Sequence, residues 1–162
     1  MAGSPKYLKV PTRNFERWLK KLIKRYKGSK DKQAFQVFIF QLIDNLCSDP
    51  RPSNSALEPI PGKMALPKEL EFRKLRFGMP GLKGASGQGR LMYLINSIQS
   101  SIILVWIYTH EEYEGRPDEK SLEAVLQDAI ASLPEKTDLS ANTNEQTNSL
   151  ENNDASTDHS EG

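Results

Sequence analysis

A chain of 162 residues with 37% hydrophobic content supports one core of ordinary size and excludes a second. Its formal net charge of +1 hides an asymmetry, because residues 137–162 hold six acids and no Lys or Arg, leaving residues 1–136 with all 22 cations against 15 of the 21 acids. Such a body suits a polyanionic partner such as RNA, a ribosome or an acidic regulatory protein, or else is a solvated basic surface with none. The single cysteine, Cys47, excludes an intrachain disulfide and suits a reducing compartment. His110 and His159 lie at no ligand spacing from it, so no metal site is indicated. The longest apolar run, Ile102 to Ile107, is far too short to span a bilayer, and the pattern predicts a soluble, cytoplasmic protein without a small-molecule cofactor.

Residues 6–10 alternate weakly and stop at Pro11, which predicts a short edge strand ending where a backbone donor is lost. Thr12 can cap a helix in which Phe15, Trp18, Leu19, Leu22, Ile23 and Tyr26 recur at spacings of three and four. Arg17, Lys20, Lys21, Lys24 and Lys27 fill the opposite side, a cationic face that either contacts RNA or keeps the helix solvated. Gly28 and Ser29 break this helix and allow a reversal into a second, from about Lys32 to Cys47, with the stripe Phe35, Phe38, Ile39, Leu42, Ile43 and Leu46. Val37 and Phe40 widen that stripe, so this helix is expected to lie between the first helix and a sheet. Prolines at 50, 52, 59, 61 and 67 make the next stretch an extended surface connection.

Three antiparallel strands follow. Phe72 to Phe77 alternates so that Lys74 and Arg76 share a face with Phe72, while Arg73, Leu75 and Phe77 take the other. A loop with glycines at 78, 81, 84, 87 and 89 leads to the strand Arg90 to Ile95. A turn through Asn96, Ser97 and Gln99 leads to Ile102–Tyr108, which is apolar on both faces and is therefore expected to be a central strand. The glycine loop opens into a strand and not a helix, which argues against nucleotide binding of the phosphate-loop type; its glycines read as flexibility for closing on a backbone phosphate. After a polar run through His110 and Tyr113, Asp118 or Ser121 can cap a last helix with the stripe Leu122, Val125, Leu126 and Ile130. From residue 137 onward Asn, Thr, Ser, Asp and Glu dominate, and the composition predicts a disordered tail after a folded domain of residues 1–136.

The order Arg73, Lys74, Leu75, Arg76, a glycine-rich loop, Ser86, Gly87, then Arg90 and Tyr93 resembles the sheet of the RelE superfamily of toxins, and within it most closely the HigB-like branch. The likeness covers roughly residues 6 to 130. Ala85, Gln88 and His110 depart from the pattern, standing where the family often has Lys, Gly and a Lys or Arg. The resemblance implies an α+β, RelE-like fold in which a helical hairpin packs on a small, mainly antiparallel sheet with a C-terminal helix. It further implies a toxin paired with a cognate antitoxin, cutting mRNA on the ribosome.

Metal-free RNA cleavage by the strand's own 2′-hydroxyl needs a base, an acid for the departing 5′-oxygen, and fixed cations around the phosphorane. Lys74, Arg76 and Arg90 are the natural cations, or else polar residues of an open sheet face. Imidazole is the side chain suited to proton transfer near neutrality, so His110 could be the acid or base, with Tyr113, Tyr108 and Tyr93 as alternatives. Arg73, Lys83, Ser86 and Tyr93 are candidate substrate contacts. A ParE-like topoisomerase inhibitor without enzymatic activity, and an inactive basic binding module, are the competing readings.

Overall fold

The computed structural model describes residues 6–133, so the expected tail at 137–162 lies outside the described residues. Five strands, β1 (Leu8–Pro11), β2 (Ser55–Leu57), β3 (Leu70–Gly78), β4 (Gln88–Asn96) and β5 (Ser101–Thr109), form one sheet in the order β1-β5-β4-β3-β2. Only β1 runs parallel to its neighbour; every other pairing is antiparallel. Helices α1 (Arg13–Ile23) and α2 (Ser29–Ser48) form a hairpin, and α3 (Glu119–Ala131) follows the sheet. The fold is therefore α+β, as the alternation and periodicity predict.

Alternation sorts the sheet into two faces. Leu75, Leu91, Tyr93, Ile95, Ile102 and Leu104 point to one and join Phe15, Leu22, Phe35, Ile39, Ile43 and Leu46 of the hairpin in a single core. On the other face Phe72, Leu94 and Ile103 are also buried. Leu122, Leu126 and Ala129 of α3 are buried outside the hairpin-side cluster, so α3 is the element left to cover them. The end of that face near Arg76 and Arg90 carries its cations.

Thr12 caps α1 as expected: its hydroxyl accepts from Phe15 N–H at 3.2 Å and donates to Leu104 O at 2.8 Å. Together with Asn14, whose side chain donates to Val105 O at 3.1 Å, it covers the edge of β5 beyond the reach of β1. An edge with unpaired carbonyls is a pairing hazard, and two side chains close this one.

Two expectations are corrected. The proline-rich connection contains the three-residue strand β2, held because Asn54 extends its ladder by donating to Arg76 O at 2.8 Å and accepting Arg76 N–H at 3.0 Å. Nor is α2 sandwiched: Val37 and Phe40 are 55% and 61% exposed, because the hairpin covers only the inner stripe. β5 is interior, between β1 and β4, and buried along its length, as a run apolar on both faces predicts.

Candidate functional site

The register places Arg76, Arg90 and Tyr108 directly opposite one another on β3, β4 and β5. Lys74, Met92 and Trp106 form the next row of the same face. Side chains at directly opposed positions sit about 5 Å apart at Cβ, so two arginine side chains rise from neighbouring positions of the sheet. Among the described residues neither is paired with a carboxylate; Arg90 donates only to Gly89 O, at 2.9 Å. Burial, and after it the charge of Arg76, holds the Arg90 guanidinium below its ordinary pKa. A folded protein keeps like charges this close only at some cost, and an anion between them would relieve it.

Beside this row, Glu58 and Arg116 complete the cluster. Glu58 continues the β2–β3 pairing through its N–H to Phe72 O at 2.9 Å, which puts its side chain diagonal to Lys74 on the cationic face. Its carboxylate lies 3.4 Å from the Lys74 ammonium and 3.0 Å from Arg116. A groove of about 340 Å³ runs along the β2 side and is bounded by Asn54, Ala56, Glu58, Lys74 and Arg76.

The segment after β5 passes over this face. Tyr113 packs edge-on against Tyr108 and Trp106, with centroids 5.5 and 6.0 Å away, and Tyr108 donates to Gly115 O at 3.2 Å. Burial raises the Tyr108 phenol far above its ordinary pKa, with Glu58 adding to the effect and Arg90 and Arg116 opposing it. Burial also raises Tyr113. Both phenols therefore stay protonated through neutrality and are hydrogen-bond donors. His110 follows β5 directly, half-buried, its backbone N–H on Gln88 O at 2.9 Å, two residues from Arg90.

The remaining predicted residues lie elsewhere. Arg73 is on the hairpin face, as its alternation requires, and is held by Glu71 at 2.6 Å and Ser55 Oγ at 3.0 Å. Tyr93 is fully buried on that face, donating to Pro50 O at 2.6 Å. Lys83 and Ser86 sit in the glycine loop, where Ser86 donates to Lys83 O at 3.0 Å. This loop is tied down, against the expectation of a flexible flap. Tyr26 donates to Pro80 O at 2.7 Å, Met79 N–H bonds Gly87 O at 2.8 Å, and Met79 and Leu82 pack into the hairpin-side core.

Sequence reading missed Glu58 and Arg116. Their pairing spans 58 residues, and each sits in a proline-flanked connection whose local pattern signals only a turn. Among the described residues, no group of His, Cys, Asp and Glu is arranged to hold a metal ion, and no helix is long and apolar enough to cross a membrane.

No protein-family model matches the chain, and no curated protein matches it. Solved structures similar to the chain include two RelE proteins. The archaeal RelE–RelB complex from Pyrococcus horikoshii OT3 is 14% identical, with 70% of this chain and 100% of that one covered at a TM-score of 0.42. A mutant of the E. coli toxin RelE in the free state is 15% identical, with 80% and 100% covered at a TM-score of 0.39. What the site can do is read from its own side chains.

Proposed function

We propose that the chain is the toxin of a toxin–antitoxin pair, a HigB-like member of the RelE superfamily that acts in the cytoplasm as a metal-independent, ribosome-dependent mRNA endonuclease. The observation that carries this reading is the facing pair Arg76 and Arg90, without carboxylate partners among the described residues and flanked by Lys74 and Tyr108. The sequence motif from Arg73 to Tyr93 supports it independently.

In the reaction the 2′-oxygen attacks the adjacent phosphorus, a five-coordinate phosphorane forms, and the bond to the 5′-oxygen breaks to leave a cyclic phosphate and a 5′-hydroxyl. Lys74, Arg76 and Arg90 neutralise the charge that accumulates on the phosphoryl oxygens. His110 takes or gives the proton. Tyr108 and Tyr113, kept neutral, donate hydrogen bonds and do not act as bases. Lys83 and Ser86, in the glycine loop, would contact a longer RNA strand. Arg73 and Tyr93 support the fold from the opposite face. The basic body suits an acidic antitoxin as a second partner.

The test is cleavage of translated mRNA by purified protein, with Arg76→Ala and Arg90→Ala as variants and circular dichroism as the folding control. Each should lower the rate by about 10² to 10³, and growth arrest on expression should vanish. If both stay fully toxic and folded, the nuclease reading fails and topoisomerase inhibition takes its place. His110→Gln should lower cleavage by about 10² or more. If it does not, the nuclease stands and the proton-transfer role leaves His110.

A further inference from the structure

We infer that Arg116 and Glu58 are positioning residues of this site, acting through Lys74; the inference rests on the endonuclease reading above. Glu58 is 8% exposed in its side chain, Lys74 15% and Arg116 18%, so the three charges form one nearly buried chain. Arg116 lies at its inner end. Its Nη1 donates to Glu58 Oε2 at 3.0 Å and to Pro59 O at 2.6 Å, and its Nη2 to Glu119 Oε2 at 2.6 Å. Glu119 in turn accepts Gly62 N–H at 2.6 Å.

This guanidinium therefore fastens the segment after β5, the start of α3 and the connection after β2 to one carboxylate. Three of its five N–H donors are engaged in that way, so Arg116 is anchored to the connections around it. Lys74 is placed differently. Its ammonium has three N–H donors and is ion-paired with Glu58 at 3.4 Å, and its side chain lines the groove beside Arg76. A lysine has a long flexible stem, and a point charge is useful to a transition state only where it is held. Glu58 supplies that restraint, and Arg116 holds the Glu58 carboxylate in place. A buried carboxylate deprived of one cation is strongly disfavoured, so losing Arg116 should move Glu58 and release Lys74. Displacement by about 1 Å can cost on the order of 10² in rate, while loose attraction for the substrate survives.

The experiment is single-turnover cleavage of a reporter mRNA on translating ribosomes, measured against toxin concentration to separate maximal rate from half-saturation. Arg116→Met should lower the maximal rate about tenfold or more and shift half-saturation less than about twofold, and Arg116→Lys should recover part of the loss. Glu58→Gln, which keeps the side chain's shape, should show the same split, and it decides the matter if Arg116→Met does not fold. Equal maximal rates for wild type, Arg116→Met and Glu58→Gln overturn the inference and leave the nuclease reading intact. So does a defect that vanishes well below the variant's melting temperature, which would make the role structural only. Faster or tighter action by Glu58→Gln would mean that Glu58 competes with phosphate, and also overturns it. No cleavage by the wild type overturns the nuclease reading and the inference together.

Discussion

Arg76 and Arg90 are the residues at which stability and activity should move in opposite directions. Like charges directly opposed on neighbouring strands are destabilising by up to about 1 kcal/mol, and no carboxylate among the described residues offsets this pair. Arg76→Ala or Arg90→Ala should therefore leave the melting temperature unchanged or slightly raised while removing cleavage; a drop of many degrees would show that the pair is structural. Glu71 behaves in the reverse way. Hydrogen bonds from Arg51, and more weakly from Arg73, hold its carboxyl below the ordinary range against the opposing effect of burial. A group depressed in the folded state contributes stability above its unfolded pKa, and that contribution is lost as pH falls through the folded value. Melting temperature should accordingly decline below the ordinary glutamate pKa, and Glu71→Gln should be less stable at neutral pH with a shallower acid limb. An acid limb unchanged by the substitution would remove Glu71 from the account.

At the scale of elements, the devices that fix β5 and the glycine loop are each one or two side chains. Thr12→Ala removes both the α1 cap and the hydroxyl donated to Leu104 O, and should cost about 1 to 2 kcal/mol by chemical denaturation. Gly89 lies directly opposite Phe77, whose ring would stand 2.4 Å from a Cβ placed there. Gly89→Ala must push that ring toward Phe38, 6.0 Å away, and should destabilise by roughly 1 to 3 kcal/mol. A neutral result would mean the ring can turn away freely. These same elements show what was legible beforehand. The helices and β3 to β5 announce themselves through local periodicity, and alternation alone put Lys74 with Arg76 and sent Arg73 to the far face. Strand β2 did not, because three residues carry no period, and its pairing depends on Asn54 and on β3. Glu58 and Arg116 were illegible for a related reason: each becomes part of the site only once β2 is paired and the segment after β5 has crossed the sheet. The glycine loop misled because glycine spacing reports permitted conformations, whereas Met79, Leu82 and Tyr26 decide which one is held.

For the whole molecule, charge is the quantity that reaches beyond the site. If a single RNA strand is held by about four phosphate contacts, from Lys74, Arg76, Lys83 and Arg90, its affinity should fall with salt at a slope near −3 on logarithmic axes. Arg76→Ala should flatten that slope by somewhat under one unit, whereas a rim cation that touches no phosphate should leave it unchanged. The acids of residues 137–162 enter differently. Removing that stretch takes away six acids and no Lys or Arg, and so raises the formal charge from +1 to +7. Long-range attraction to a polyanion grows with net charge and is screened within a Debye length of about 8 Å at physiological ionic strength. Truncation after Lys136 should therefore speed association with RNA or ribosomes at low salt. The difference should shrink as salt rises, and the logarithmic slope set by direct phosphate contacts should stay close to that of the full chain. Stopped-flow association rates at several salt concentrations would separate the two effects. A gain in affinity that persists undiminished at high salt would instead mean that the stretch competes for the phosphate site itself, and equal rates at every salt concentration would show that its charge is not felt by the approaching strand.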